Sequence, residues 1–371
     1  MKKTKIAILG LGTIGYGVYD IITQRFSNTI EVKKIFDKDV SKQALVGGII
    51  TTNFDDILKD NEIEIVVETL GGLDFPYSLI TKLFKAKKNV VSANKEVVAK
   101  YIKELSVLKE KCGVSFSYEA SVGGGVPIIK NLIDIANTNE VTSINGIING
   151  TTNFMLTKLS EGMDFDTAFK LAREKGFAEA DASYDFDGLD MARKIAILTD
   201  ISTSYYVNVD KIYHYSMKDV KLEDFNFLKK FGFSIKYIAS FDKNNITVEP
   251  RLVKDMFKDV KDEYNLISVD ASNYENLKFY GKGAGRYPTA NAIVNDIVDI
   301  INGNKNYTFK AKGEFKFKED NNEYVFYLRV RDINIVNKDI IVLNEGNKII
   351  TKNIKTKDIN FDNVEFYAKA K

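Results

Sequence analysis

The sequence predicts an α/β protein: a doubly wound parallel sheet, then an α+β domain, then a small strand-rich C-terminal segment. Three observations carry this reading. From Lys5 to about Tyr118, short apolar stretches alternate with amphipathic helical ones. Such alternation implies right-handed crossovers and a parallel sheet covered on both faces. The first apolar stretch runs straight into the glycine cluster Gly10-Leu11-Gly12-Thr13-Ile14-Gly15. Beyond Asn302 the chain turns strand-like and rich in Lys, Asn and Asp, which marks a boundary near residue 303. A length of 371 residues accommodates two or three such domains.

Taken in order, the candidate strands of the first part are residues 6–9, 32–36, 63–68, 89–92 and 114–118, with a helix from Glu96 to about Lys111. After Pro127 a helix over 128–136 leads to a strand over 144–148, the polar loop 149–153, and helices over 165–175 and 188–198. Strands are expected at 235–241, 246–252 and 271–280. A second glycine cluster, 281–285, precedes a helix from Pro288 to about Ile301, and further strands follow at 324–330 and 339–343.

Composition narrows the chemistry. Lys and Arg number 53 against 51 Asp and Glu, a formal charge of +2, which argues against a basic nucleic-acid surface. There is one His, one Cys and no Trp, so an internal disulfide and a His/Cys zinc cluster are both excluded. Acid–base work falls to His214 or to Lys, Asp, Glu and Tyr. The first residues resemble a signal peptide, but no small-residue cleavage site follows and the glycines have their own explanation. No membrane span is expected, because no apolar run reaches the required length. The single cysteine suits a reducing compartment, so a soluble cytoplasmic protein is expected.

Gly10, Gly12 and Gly15 form a G-x-G-x-x-G directly after a strand and opening a helix. Gly10 allows the tight turn, Gly12 lets backbone approach a pyrophosphate, and Gly15 lets the helix pack close. The helix N-terminus adds N–H groups and partial positive charge. This predicts a Rossmann-type nucleotide-binding domain. Asp37 lies 22 residues after Gly15, where an acid favours the ribose hydroxyls of NAD. Lys38 follows at once and can neutralise the extra phosphate of NADP, so the choice stays open between NAD and NADP. Lys95, just past a strand of this domain, sits where ligands bind in such sheets, or is a solvated loop lysine.

The densest polar constellation is residues 176–194, with five carboxylates between Glu179 and Asp190. Asp190 and Lys194 are one helical turn apart. An exposed pair of this kind is worth only a few tenths of a kcal/mol. The helix is nevertheless apolar almost all round, which predicts burial, and a buried lysine needs a reason. Desolvation lowers the pKa of such a lysine and nearby carboxylates raise it, so it can relay a proton during hydride transfer. The acids suit a substrate bearing an ammonium group. His214 and Cys112 read as structural. With no His-partnered cysteine for an acylating route, carbonyl-to-alcohol reduction is the expectation.

Six motifs in order, Gly10–Gly15, Ala93-Asn94-Lys95, 119–127 (EASVGGGVP), 149–153, 176–194 and 283–289 (GAGRYPT), closely resemble homoserine dehydrogenase over about residues 4–303. The resemblance implies interconversion of L-aspartate 4-semialdehyde and L-homoserine with NAD(P)H, in threonine and methionine biosynthesis. It implies Lys194 as catalytic lysine, with Lys95 sharing proton transfer, and Glu179, Asp190, Asp185 and Thr151 facing the substrate. Implied cofactor contacts are Gly10, Gly12, Thr13, Ile14, Gly15, Asp37, Lys38, Thr69, Ala93, Lys95 and Gly285. Glu119, Val122, Gly124 and Val126 match a monovalent-cation site, usually sodium. Also implied are domains at 1–127 (completed by about 283–303), 128–282 for catalysis and dimerisation, and 304–371. The resemblance further implies a homodimer built through the second domain's sheet. The last segment is similar to a regulatory ACT domain, but the Pro-Gly turn is replaced by Ile333-Asn334-Ile335-Val336, so it reads as degenerate or truncated. Ala182 stands where the family commonly has proline.

Overall fold

The computed structural model describes residues 3–178, 181–243, 245–304 and 307–370. The chain divides into two compact units, one of residues 1–140, 196–209 and 282–315, the other of 141–195, 210–281 and 316–371. Among the described residues no helix is long and apolar enough to cross a membrane.

The first unit is built on strands β1 (Thr4–Leu9), β2 (Ile30–Phe36), β3 (Ile50–Thr51), β4 (Ile63–Glu68), β5 (Asn89–Ser92) and β6 (Phe116–Ser117). Helices α1 (Thr13–Ile21), α2 (Asp55–Leu58), α3 (Asp74–Lys85), α4 (Lys95–Cys112) and α5 (Ile129–Thr138) belong to it. The strands are parallel in the order β3-β2-β1-β4-β5-β6. That is the doubly wound order whose reversal between β1 and β4 opens a ligand crevice at the strand C-termini. Ile6, Ile8, Ile35, Val67 and Val91 are buried on a sheet covered on both faces, so these strands are runs of apolar residues rather than alternations. The strand expected over 114–118 shrinks to β6, because Glu119 begins a 3₁₀ turn. Helix α4 shows why it starts and stops where it does. Asn94 Oδ1 accepts from the N–H groups of Glu96 and Val97, Lys109 and Lys111 lie in the last turn, and Gly113 ends it at φ +67°.

The second unit contains β7 (Val141–Ile147), α6 (Gly150–Ser160), α7 (Phe165–Glu174), α8 (Ser183–Phe186), the start of α9 (Leu189–Thr203), β8 (Tyr213–His214) and α10 (Leu222–Lys229). Strands β9 (Ser234–Asp242), β10 (Ile246–Val253), β11 (Tyr264–Ala271) and β12 (Tyr274–Lys282) follow. Helix α11 (Arg286–Ile301) returns to the first unit and lies against α1, where a Cβ on Gly17 would fall 2.8 Å from Arg286 Cγ. Two expectations change here. Residues 149–153 are not a loop: Asn149 caps α6 and the rest form its first turn. The strand expected over 271–280 is the turn and second arm of the β11–β12 pair of strands.

The last strands are β13 (Glu323–Val330), β14 (Ile341–Glu345), β15 (Lys348–Lys355) and β16 (Val364–Ala370). They complete a sheet ordered β12-β11-β7-β9-β10-β16-β13-β15-β14, with β8 beside β10. Numbered within the segment, β16-β13-β15-β14 is the order 4-1-3-2. It corresponds to a βαββαβ unit whose crossover helices are reduced to 3₁₀ turns over residues 333–340 and 356–363. One face carries Tyr324, Phe326, Leu328, Ile349 and Tyr367. From the segment, Arg329 Nη1 donates to both oxygens of Asp224 on α10, at 2.6 and 2.5 Å. Tyr327 donates to the same carboxylate. Arg329 and Asp224 are 1% and 0% exposed, so this pair is a buried rivet.

Candidate active site

In the first unit the turn after β1 is shaped by what is missing. Gly10 takes φ +94°, in the left-handed region that favours glycine. A Cβ on Gly15 would sit 1.9 Å from the Gly10 carbonyl oxygen, so only hydrogen fits. Gly12 caps α1, and no atom lies within 4 Å of where its Cβ would be, which leaves space for a ligand over Thr13, Ile14 and the open N–H end of the helix. Thr69, just past β4, clamps the turn by donating its Oγ1–H toward the carbonyls of Leu9 (2.9 Å) and Gly10 (3.0 Å).

Asp37 does more than end a strand. Its carboxylate accepts from the N–H groups of Leu11 (2.6 Å) and Asp39 (2.8 Å), and so ties the tip of β2 to the glycine turn. Lys38 is exposed. The cation beside Asp37 is instead Lys42, 3.8 Å from its carboxylate and donating to the Leu11 carbonyl at 3.2 Å. Sequence reading missed Lys42, which sits in a 3₁₀ turn with no motif of its own. At the tip of β5 the N–H of Ala93 donates to the Glu68 carbonyl at 3.0 Å, and Lys95 opens α4. Gly285 caps α11 at φ +117°.

Glu119 is 8% exposed, and its carboxylate accepts from the N–H groups of Ile128 (2.7 Å), Ile129 (2.8 Å) and Lys130 (2.8 Å) at the start of α5. Burial pushes this carboxyl up, and the three N–H donors hold it down. Val122 and Val126 are buried. A Cβ on Gly124 would lie 2.3 Å from the Gly283 carbonyl, so the glycines admit the 282–288 segment. No group of three His, Cys, Asp or Glu side chains among the described residues could hold a metal ion. An ion at Glu119, Val122, Gly124 and Val126 would therefore rest on one carboxylate and backbone carbonyls, an all-oxygen set suited to a hard cation.

The second unit gathers side chains instead. Asn149 stands at the end of β7, where its Oδ1 accepts from Thr152 N–H at 2.8 Å and caps α6. Its amide donates to Asp185 Oδ1 (2.7 Å) and Asp190 Oδ2 (2.8 Å). Asp190 Oδ2 also pairs with Lys194 Nζ at 2.7 Å, and Lys194 donates to the Ile148 carbonyl at 2.9 Å. The Lys194 side chain is 14% exposed and that of Asp190 6%, so the helix is buried as its apolar faces imply. Those two contacts account for two of the three ammonium protons. Thr151 donates to the Phe177 carbonyl, and this brings α6 onto the chain leading to the acidic stretch. Glu179 lies outside the described residues. His214 Nδ1 is 2.7 Å from the Asp187 carbonyl, and Tyr237 Oη leaves no room for a Cβ on Gly188. Both back the turn that launches α9. Asn149, the hub of this network, escaped sequence reading as a site residue. Its signal was a helix cap ahead of Gly150-Thr151-Thr152.

The family model described as homoserine dehydrogenase matches residues 127–298, and that described as homoserine dehydrogenase, NAD binding domain, matches 10–119. A homoserine dehydrogenase of Bacillus subtilis is 34% identical over 318 residues, covering 81% of this chain and 73% of its own. One from Synechocystis is 38% identical over 316 residues, covering 80% and 73%. The chain belongs to the homoserine dehydrogenase family. A solved homoserine dehydrogenase from Thiobacillus denitrificans aligns with TM-score 0.84 at 29% identity, covering 98% of this chain and 94% of that one. One from S. aureus gives 0.78 at 28%, covering 100% and 99%. The protein is therefore an NAD(P)-dependent oxidoreductase interconverting aspartate semialdehyde and homoserine, in the threonine and methionine pathway. Cys112 is a free, half-buried thiol at the end of α4 and His214 is engaged by the Asp187 carbonyl, so no described residue pairs with Cys112 to equip a covalent thiolate route.

Proposed function

We propose that Lys194 is the proton donor for carbonyl reduction and acceptor in reverse, with Lys95 sharing the transfer. The observation carrying this is the grip on Lys194 Nζ by Asp190 and the Ile148 carbonyl, which aims a charged, mostly buried ammonium and leaves one proton for a substrate oxygen. Asp190 and Glu179 hold the amino end of the semialdehyde and, in the reverse direction, the hydroxyl of homoserine; Asp185 orients the lysine or a water, and Thr151 borders them. Bound NAD(P)H supplies the hydride. Gly10, Gly12, Thr13, Ile14 and Gly15 cradle its pyrophosphate, and Thr69, Ala93, Lys95 and Gly285 complete the cradle.

Asp37 orients the adenosine ribose. With its carboxylate held by two N–H groups and Lys42 beside it, the site accepts either NADH or NADPH, and Lys38 adds charge for the extra phosphate. Glu119, Val122, Gly124 and Val126 hold sodium in a structural role, bracing the glycine turn against residues 282–288. The functional divisions are 1–127 with 283–303 for the cofactor, 128–282 for substrate and dimerisation, and 304–371 as a degenerate ACT-like accessory. A cytoplasmic homodimer is the working form.

The test is Lys194→Ala assayed by NAD(P)H oxidation with aspartate semialdehyde. Turnover is expected to fall by about 10²–10⁴-fold. Turnover within a few-fold of the parent would overturn the assignment.

A further inference from the structure

The first unit contains a buried acid that the mechanism above leaves unused. Glu68 ends β4, the central strand beside the glycine turn, and is 0% exposed. A carboxylate there is costly to desolvate, and a sheet interior asks for an apolar residue. What it does is visible in its partners. Ser92, its register neighbour at the tip of β5, donates its hydroxyl to Glu68 Oε2 at 2.6 Å, and the N–H of Leu70 donates to Oε1 at 2.8 Å.

The Ser92 oxygen in turn accepts from the N–H of Asn94 at 3.1 Å. Asn94 donates its amide to the carbonyls of Leu70 (3.2 Å) and Gly72 (2.9 Å), and its Oδ1 caps α4 through Glu96 and Val97. Glu68 thus joins the turn after β4, which carries Thr69, to the turn after β5, whose next residue is Lys95. Ser92 and Asn94 are buried too, at 0% and 7% exposed. The Glu68–Ser92–Asn94 part of this chain is buried, its outer bonds to Leu70 and Gly72 are partly exposed, and all of it lies at the C-terminal rim of the sheet.

We infer that Glu68 is a positioning residue for the reaction: through Ser92 and Asn94 it fixes Lys95 and the Thr69 turn against the cofactor, and it does so as the ionised carboxylate. This rests on the reading of Lys95 as a group that shares the proton transfer beside the cofactor. The ionised form matches the pattern of bonds, in which both Glu68 oxygens act as acceptors. Protonation would put a donor on one oxygen and force Ser92 to turn its hydroxyl away. Burial pushes the Glu68 carboxyl up to about 7, opposed by hydrogen bonds from Ser92, Leu70 and Asn94. Among the described residues no charged group contributes to that shift. The change between the two forms therefore falls near neutral pH.

The experiment is the pH profile of kcat and of cofactor KM for the full chain, from about pH 5.5 to 9, in the parent, Glu68→Gln and Ser92→Ala. The parent is expected to gain turnover through a limb near neutrality as Glu68 ionises. Glu68→Gln, locked in the neutral pattern, should lose that limb and about tenfold or more in kcat. Ser92→Ala keeps the acid but removes a donor that stabilises its ionised form, so its limb should move to higher pH. A limb retained in Glu68→Gln overturns the inference, as does a kcat within twofold of the parent. Should Glu68→Gln not fold, an unshifted limb in Ser92→Ala overturns it alone. Lys95→Met, run alongside, separates the two ideas. Undiminished turnover there removes Lys95 from the chemistry, whatever the Glu68 limb does.

Discussion

In the first unit the ligand-facing turn is made by leaving side chains out. Gly15 admits only hydrogen against the Gly10 carbonyl, and Gly12 faces empty space. In the second unit the reverse holds: Asn149, Asp185, Asp190 and Lys194 crowd polar atoms into a mostly buried cluster. A pyrophosphate is bound by backbone N–H groups, so its site needs close approach and tolerates little bulk. A proton must be delivered to one atom, so its site needs a charged group held in a fixed direction. The first kind of site fails through sterics. The second fails through an unmet partner.

Substitutions can break that contrast in graded ways. The largest effect on stability is expected outside both sites, at Arg329→Met, which strands the buried Asp224 and should cost about 3–5 kcal/mol in urea unfolding. A loss below about 1 kcal/mol would mean that the C-terminal strands are not held by this pair. Next comes Gly15→Ala, whose Cβ collides with backbone. It is expected to cost about 1–3 kcal/mol of stability and to weaken cofactor binding in a fluorescence titration. Unaltered affinity would show that the turn can relax. Asn149→Ala is expected to have an effect on stability no larger than that of Gly15→Ala, removing one donor each from Asp185 and Asp190 together with a helix cap, for about 1–3 kcal/mol. Its signature is a raised KM for the semialdehyde with cofactor affinity kept.

The sequence revealed these regions unequally. The glycine turn was readable because its sterics act within six residues, and the Asp190–Lys194 pair because a helix sets one turn between them. Asn149 was not, since its acceptors lie 36 and 41 residues away and only the folded chain brings them together. Glu68 hid as the polar end of an apolar strand, 24 residues from Ser92. The first turn of α6 was misread as a loop because Asn, Gly and Thr are poor helix formers, and cap geometry with burial overrides that preference. The C-terminal segment showed its first strand in sequence. Its continuity with the β7–β10 sheet depends on β16 pairing with β10 through Arg251 and Lys369, a match no local pattern contains.

The division of labour between the two regions is tested most directly by measuring NADPH affinity and single-turnover hydride transfer on the same preparation of Lys194→Ala. Affinity equal to the parent's is expected, with transfer slowed by about 10²–10⁴-fold. Transfer at the parental rate, or a loss of affinity as large as the loss of rate, would contradict it.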